Sequence, residues 1–572
     1  MPGSPAPGRG RDRLARTLLP KHRLGGVSSR RRKHWGWGFE DQQPAPAQLR
    51  AFAPVLAAQL GLSLGEVQEP VALASVRLAQ PRIKAPPSLA GICADDVHAR
   101  ACHALGKSYC DVVNGFRGRF EHPPDLVVRP REESELERAL EWCSDERIAA
   151  IPFGGGTSVV GGVTPSVADR YNGVVSIDTT ALDRVLEVDE VSRSACIQAG
   201  ATGPQLEAQL GERGLTLRHF PQSFEFSTLG GWIATRAGGH FATLWTHIED
   251  FLESVRALTP AGVWESRRLP ASGAGVSPDR VLAGSEGTLG VITQAWVRVQ
   301  PRPSQRSSAG VRFESFLAGA QCVRALSQSG LHPANCRLLD PGEAALTGAG
   351  DGSAALLVLG FESSEQPVSE EMTRALALCA EHGGAVAEAA GDGGSARRGA
   401  GHSGGGSRGG DAVGSWRQAF LGAPYTRDAL VAMGVLAETF ETAITWERFP
   451  AFHARVREAT EDAVREACGQ QGRVLCRLTH VYPDGAAPYF TVLAAARPGE
   501  EVEQWGAIKQ AASEAILAAG GTITHHHAVG RDHRSWYDRQ RPDPFAAALR
   551  GAKLAVDPAG VMNPGVLIDP VA

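Results

Sequence analysis

Pro152-Phe153-Gly154-Gly155-Gly156-Thr157-Ser158-Val159-Val160-Gly161-Gly162 follows a short apolar run, Ile148-Ala149-Ala150-Ile151, that reads as a β-strand. Three consecutive glycines let the backbone take positive φ and approach a ligand with no Cβ in the way. The N–H groups of such a turn form an anion-binding nest, to which Thr157 and Ser158 add hydroxyl donors. A glycine loop after a strand therefore points to a phosphate or pyrophosphate cradle; a plain glycine-rich turn is the competing reading. The order matches neither G-x-G-x-x-G nor the phosphate loop that carries a lysine after its last glycine. Other stretches of the chain must supply the ligand.

The chain has 572 residues, too many for one ordinary core, so two or more domains are expected. Hydrophobic residues at 43% and charged residues at 21% are globular values. A net charge of −4 gives no reason to expect a nucleic-acid partner. The 10 cysteines are scattered from Cys93 to Cys476 with no C-x-x-C pair. That spacing favours free thiols in a reducing compartment over a disulfide framework or a zinc site, and no metal is expected. No apolar run approaches a membrane span, and the first residues lack the apolar core of a secretory signal. A peroxisomal type-2 address fails, because Arg13-Leu14 is followed at the required distance by Pro20-Lys21. The final Pro570-Val571-Ala572 is not an S-K-L tail either, so a cytoplasmic protein is expected, or a peroxisomal one if the source is eukaryotic.

Residues 1–33 are rich in Arg, Pro, Gly and Ser and end in Arg30-Arg31-Arg32-Lys33; they read as a disordered, solvated basic leader. Residues 34–122 read as an N-terminal helical region broken at Pro86-Pro87 and opened by His34-Trp35-Gly36-Trp37-Gly38, an aromatic anchor. From 123 to 303 the pattern is α+β. Strands are expected at 125–129, 173–178, 184–188, 194–198 and 290–299. A helix is expected over 132–148, with Leu136, Leu140 and Cys143 on one face, and another carries Leu206 and Leu210. Residues 304–520 read as a second α+β domain, with a flexible Gly-rich loop at 391–414, followed by a C-terminal segment at 521–572.

Three further stretches accompany the glycine loop in a fixed order. They are His219 with Gln222-Ser223-Phe224-Glu225-Phe226-Ser227-Thr228, then Thr235-Arg236-Ala237-Gly238, then Glu286-Gly287-Thr288-Leu289-Gly290-Val291-Ile292. Together the four resemble the FAD-binding domain of the vanillyl-alcohol oxidase/p-cresol methylhydroxylase flavoproteins, a two-part α+β domain around an extended FAD. The resemblance implies that Pro152 to Ser158 hold the pyrophosphate, that 222–228 and 235–238 line the flavin, and that 286–292 close over it. It also places His219 and Thr228 near the ring. Some members attach the flavin through a His in the glycine loop; Thr157 stands there in this chain, which implies non-covalent FAD.

From His34 to the C terminus the chain is similar to a narrower family, the alkyldihydroxyacetonephosphate synthases. The stretches that carry this are Trp35-Gly36-Trp37-Gly38, Arg337-Leu338-Leu339-Asp340, Tyr425-Thr426-Arg427-Asp428, Glu438-Thr439-Phe440-Glu441-Thr442 and His525-His526-His527-Ala528-Val529-Gly530. A metal-binding or tag-like tract is the competing reading of the histidines. The resemblance implies exchange of the acyl group of acyl-dihydroxyacetone phosphate for a long-chain fatty alcohol, through an adduct on flavin N5. It implies Tyr489 as the base, with His525, His526 and His527 beside it, Arg427 on the substrate phosphate and Arg337 near the flavin. A free phenol needs nearby positive charge or hydrogen-bond donors to act as a base at neutral pH. A long-chain substrate raises the expectation of peripheral membrane contact, and a homodimer stays open. The alternative is an FAD-dependent D-2-hydroxyacid dehydrogenase, which Asp557-Pro558-Ala559-Gly560-Val561-Met562-Asn563-Pro564-Gly565 resembles. That branch carries E-H-G-I-G where this chain has His526-His527-Ala528-Val529-Gly530.

Overall fold

Parallel pairing shapes the first sheet of the computed structural model, which describes residues 30–167, 169–386 and 412–569. Its strands are β1 (Cys93–Ala94), β2 (Leu126–Val128), β3 (Ile148–Phe153) and β4 (Gly173–Asp178), in the order β1-β2-β4-β3. Both β2 and β3 run parallel to β4. Parallel strands need a crossover, and the helix Glu133–Asp145 supplies it from β2 to β3, which flank β4. Strands covered on both faces read as unbroken apolar runs, which is why Ile148, Ala149, Ala150 and Ile151 are all buried. The helix buries Leu136, Ala139, Leu140 and Cys143. It stops at Asp145, short of the expected 148, because Arg147 takes φ +53° and Ile148 is claimed by β3.

The second sheet holds β5 (Val185–Asp189), β6 (Ser194–Gln198), β8 (Leu252–Thr259), β9 (Gly262–Glu265) and β10 (Val291–Arg298), in the order β5-β6-β10-β8-β9. Between them β7 (Leu215–Thr216) pairs with β11 (Gln300–Pro301). Helices Gly203–Gly211 and Leu229–Thr235 put Leu206, Leu210, Trp232 and Ile233 into one core with Ile197, Val255 and Ala295 of the sheet.

The third sheet takes β12 (Gln305–Phe313), β13 (Asn335–Leu339), β14 (Ala355–Ser363), β15 (Ala385–Val386), β16 (Val435–Glu441), β18 (Arg473–Val481) and β19 (Gly485–Ala495). Their order is β15-β12-β14-β13-β18-β19-β16, with β17 (Ile444–Thr445) attached to β19. Helices Phe316–Gln328, Ser369–Glu381, Phe449–Cys468 and Glu501–Ala518 share its main core. The first 2 sheets and the third form an α+β architecture.

Three expectations change. Residues 34–122 are less helical than expected: after Pro46–Leu60 the chain has only a 3-10 turn at Leu73–Ser75 until residue 89. Pro70, Pro81, Pro86 and Pro87 fall in this stretch, and proline removes the helical N–H. Residues 412–414 of the expected flexible loop belong to the helix Ala412–Ala432; the remainder, 391–411, like 1–29, lies outside the described residues. The end of the expected leader, residues 30–33, is not solvated as a unit. Lys33 is buried with its Nζ 2.6 Å from Asp428, Arg32 donates to Gly155 O at 2.9 Å and stacks on Phe226, and residue 32 bridges to Phe39.

The C-terminal segment returns to the first sheet. Met562 bridges in parallel to Ala150 of β3, and Asn563 donates to Glu286 O and Gly162 O. Lys553, buried, reaches Thr288 O, Asp557 and Met562 O.

Candidate active site

Alternation along four strands aims one face of the third sheet at a cavity of about 1520 Å³. That face carries Arg337 of β13, Arg477 of β18, Tyr489, Thr491 and Leu493 of β19, and Ala437 and Thr439 of β16. Opposite stand the glycine loop, 154–159, and the stretches around Thr228 and Gly238. The volume exceeds the ~300–1,000 Å³ of ordinary small-molecule sites, which suits a large cofactor together with a second molecule. Part of its lining is apolar: Phe52, Leu56, Leu430, Ala437 and Leu493.

Tyr489 and Arg477 are register partners across β18 and β19, and the guanidinium carbon lies 3.8 Å from the centre of the phenol ring. Burial lowers the Arg477 pKa, but the charges of Glu343 and of the Tyr489 oxygen outweigh it, so the net shift is upward and the group stays cationic. Its Nη1 is bonded to Glu343 Oε1. The rings of His526 and His527 lie 6.2 and 5.4 Å from that of Tyr489.

The three histidines are held from behind by one carboxylate. Glu441, the register partner of Tyr489 on β16, accepts the backbone N–H groups of His525 (2.7 Å), His526 (3.0 Å) and His527 (2.8 Å) and the Thr524 hydroxyl (2.6 Å). Burial opposes ionisation of Glu441, yet the neighbouring His527 and His525 and these donors bring its pKa below the usual carboxylate range. Burial also pushes all three imidazoles toward the neutral form, so the N–H and O–H donors carry the stabilisation of the carboxylate. His525 does not line the cavity. Its Nε2 meets the Tyr482 hydroxyl at 2.7 Å and its Nδ1 meets His526 Nδ1 at 3.0 Å.

Arg337 is buried with its Nη2 on His240 O, its Cζ 4.7 Å from the Trp416 ring and 5.0 Å from Phe420. Burial and then the neighbouring charge of Arg477 bring its pKa down to about 9, and its Nε has no partner among the described residues. Arg427, on the helix Ala412–Ala432, donates to Lys107 O and to the Thr439 hydroxyl and opens on the same cavity.

The glycine loop fits the expected FAD on two counts. Its N–H groups at Gly155, Gly156, Thr157 and Ser158 have no acceptor among the described residues, which leaves four donors for a pyrophosphate. A Cβ on Gly154 would lie 2.3 Å from Thr228 Oγ1, and one on Gly155 1.9 Å from Phe226 O. Only a side-chain-free loop can lie this close to the 222–228 stretch. Gln222, Ser223, Ser227, Thr228, Thr235, Ala237 and Gly238 join the loop in lining the cavity.

Other expected cofactor residues sit behind this wall. Pro152 packs on Gly287, and Phe153 on Gly156 and the His103 ring. Phe224 packs on Gly203, Glu225 accepts from Tyr425 at 2.5 Å, and Phe226 packs against Phe39. Arg236 pairs with Glu249 at 2.6 Å. His219 is buried against Trp232, neither ring nitrogen has a partner among the described residues, and burial keeps it neutral. Glu286 accepts the N–H groups of Val529 and Gly530, at 2.9 and 2.8 Å, and so positions the end of the histidine stretch. Thr288 bonds Ser285 O, Leu289 is core, and Gly290, Val291 and Ile292 lead into β10.

Arg477 and His480 also line the cavity and were not singled out from the sequence. Strand alternation and a buried arginine facing Tyr489 could have raised Arg477. Alternation assigns His480 to the wrong face, because a register shift between Leu478 and His480 turns it round.

Residues 124–266 match the family described as FAD binding domain, and residues 302–567 match FAD linked oxidases, C-terminal domain. Among similar proteins, an alkyldihydroxyacetonephosphate synthase from Dictyostelium discoideum is 29% identical over 501 residues, covering 83% of this chain and 78% of the relative. A Caenorhabditis elegans protein of the same name is 30% identical, covering 83% and 81%. A solved alkyldihydroxyacetonephosphate synthase superposes with a TM-score of 0.75 at 25% identity, over 93% of this chain and 98% of that one. A p-cresol methylhydroxylase structure, at 14% identity and a TM-score of 0.66 over 84% and 95%, shares the fold.

Proposed function

The chain belongs to the alkyldihydroxyacetonephosphate synthase family, and we propose that it performs the exchange that names the family. An acyl-dihydroxyacetone phosphate loses its acyl group as a fatty acid, a long-chain fatty alcohol takes its place through an ether bond, and no net redox change results. FAD is the cofactor, and when bound it supplies the electron-accepting ring at which the substrate carbon reacts. The observation that carries this reading is Tyr489: it stands on the cavity wall between the cation of Arg477 and the neutral rings of His526 and His527.

Tyr489 takes the proton from the substrate carbon. Arg477 lies where it favours the charge that develops on the phenol oxygen, and neutral imidazoles at His526 and His527 can accept and return the proton. Arg427 fits the substrate phosphate, because a guanidinium fork suits phosphate geometry. Arg337 provides a cation at the flavin end of the cavity. The apolar part of the lining, Phe52, Leu56, Leu430, Ala437 and Leu493, suits a long alkyl chain. Among the described residues no helix is long and apolar enough to cross a membrane. Thr157 cannot make the histidine linkage, so the flavin is bound non-covalently.

Anaerobic mixing of the holoenzyme with palmitoyl-dihydroxyacetone phosphate and hexadecanol should yield alkyl product. Lasting flavin reduction by D-lactate, with no ether formed, would replace the transferase by the dehydrogenase. Tyr489→Phe should keep its flavin while turnover falls by at least about 100-fold; unchanged turnover removes the base assignment. Acid precipitation should release all flavin to the supernatant, and yellow colour left in the pellet would show a covalent link.

A further inference from the structure

We propose that His480, His525 and His526 form a three-imidazole site for one borderline divalent cation such as Zn²⁺. The inference rests on side-chain geometry and not on the synthase reading; a cation bound through His526 takes the lone pair that reading offers for proton transfer and leaves that step to His527. One ligand nitrogen from each residue lies within 4.8 Å of the other two. Bonds of about 2.0–2.1 Å in tetrahedral geometry require ligand atoms about 3.3 Å apart, so small side-chain rotations close the site.

His480 is already set as a ligand. Its Nε2 faces the Gly239 carbonyl at 3.2 Å, and a carbonyl accepts only, so Nε2 carries the proton. The lone pair is then on Nδ1, which is buried and has no hydrogen-bond partner among the described residues. A carbonyl that fixes the tautomer of a histidine is the usual outer support of a metal ligand. His525 and His526 share one hydrogen bond between their Nδ1 atoms at 3.0 Å, which leaves at least one of the two nitrogens a free lone pair when the bond opens.

The backbone around the rings is rigid. Glu441 ties down three consecutive N–H groups, and its carboxylate lies 3.4 Å from His526 Nδ1, where it offsets part of a dication's charge. The Thr246 hydroxyl meets the Tyr482 hydroxyl, which in turn holds His525 Nε2. His480 and His526 also border the cavity, so the fourth ligand position opens toward it, as three-ligand zinc sites require. The nearby cations Arg337 and Arg477 oppose a dication, so affinity on the order of micromolar is expected rather than the tighter range of closed structural sites.

The test is Co²⁺ and Zn²⁺ binding to the full-length holoenzyme freed of metal. One Co²⁺ per chain should give visible d–d bands to the red of the flavin, and one equivalent of Zn²⁺ should abolish them. His480→Gln and His526→Gln, on two separate elements, should each weaken binding by more than the about 10–100-fold that loss of an outer-shell partner costs. Flavin content and melting temperature identify a variant that fails to fold, and the other then decides. No binding to the native protein, or binding kept in a folded variant, overturns the site.

Discussion

Arg477 shows how much a single residue can carry without belonging to any motif. Its charge is fixed by Glu343 on one side and faces the Tyr489 ring at 3.8 Å on the other. Arg477→Met should lower kcat by about 100-fold, the size of effect seen when one preorganised charge-stabilising group is removed, while flavin content stays normal. Arg477→Lys should recover little, since an ammonium neither stacks flat on a ring nor keeps the fork toward Glu343. Full activity in either variant would detach Arg477 from the chemistry. Sequence reading reached Tyr489, Arg427, Arg337 and the histidines through motifs, and most of these converge on one cavity. His480 was out of reach for a physical reason: one extra residue in β18 reverses its side, and no local pattern marks that bulge.

At the scale of elements, the turn before β10 behaves differently from its expected role. Glu286 does not line the cavity; buried, it supports the Val529–Gly530 backbone. Burial raises its pKa to about 7, against the lowering by the two N–H donors. The unfolded side chain ionises near 4.5, so between about 4.5 and 7 the folded state holds more protons than the unfolded one, and stability from this group falls as pH rises through that window. Glu286→Gln cannot ionise. The melting temperature of the native protein should therefore fall relative to that of Glu286→Gln between pH 5 and 7, as read by thermal scans in matched buffers. Parallel curves would sink the assignment. The strands themselves were legible, because β3 is buried on both faces and β10 on one, and each leaves its own periodicity. The support role of Glu286 was not legible, since its partners lie 243 and 244 residues away.

Across the whole molecule, the two ends of the described chain tie distant parts together. A run of basic residues reads as solvated because composition cannot show an acid waiting 395 residues later. Gly36 takes φ +60°, and a Cβ there would lie 2.4 Å from Asp428 Oδ2, so the turn wraps the carboxylate at a distance only glycine allows. Trp37 N–H adds a bond to the same group. Lys33→Met should cost about 3–5 kcal/mol, because it leaves Asp428 buried without its cation. The melting temperature and flavin retention of that variant should both fall. Restoration by the double change Lys33→Met with Asp428→Asn would confirm the pair, and an unchanged single variant would refute it.

The far end has a consequence for how the protein is made. Ala150 N–H donates to Val561 O and Asn563 N–H donates to Ala150 O, which seats residue 562 in the sheet that holds the glycine loop. A nascent chain thus cannot complete its first sheet until residues 561–563 have left the ribosome. The cofactor-binding half is begun early but finished only when residues 561–563 arrive, so flavin loading waits for them, and a truncation before residue 561 should cost the yellow colour before it costs the third sheet.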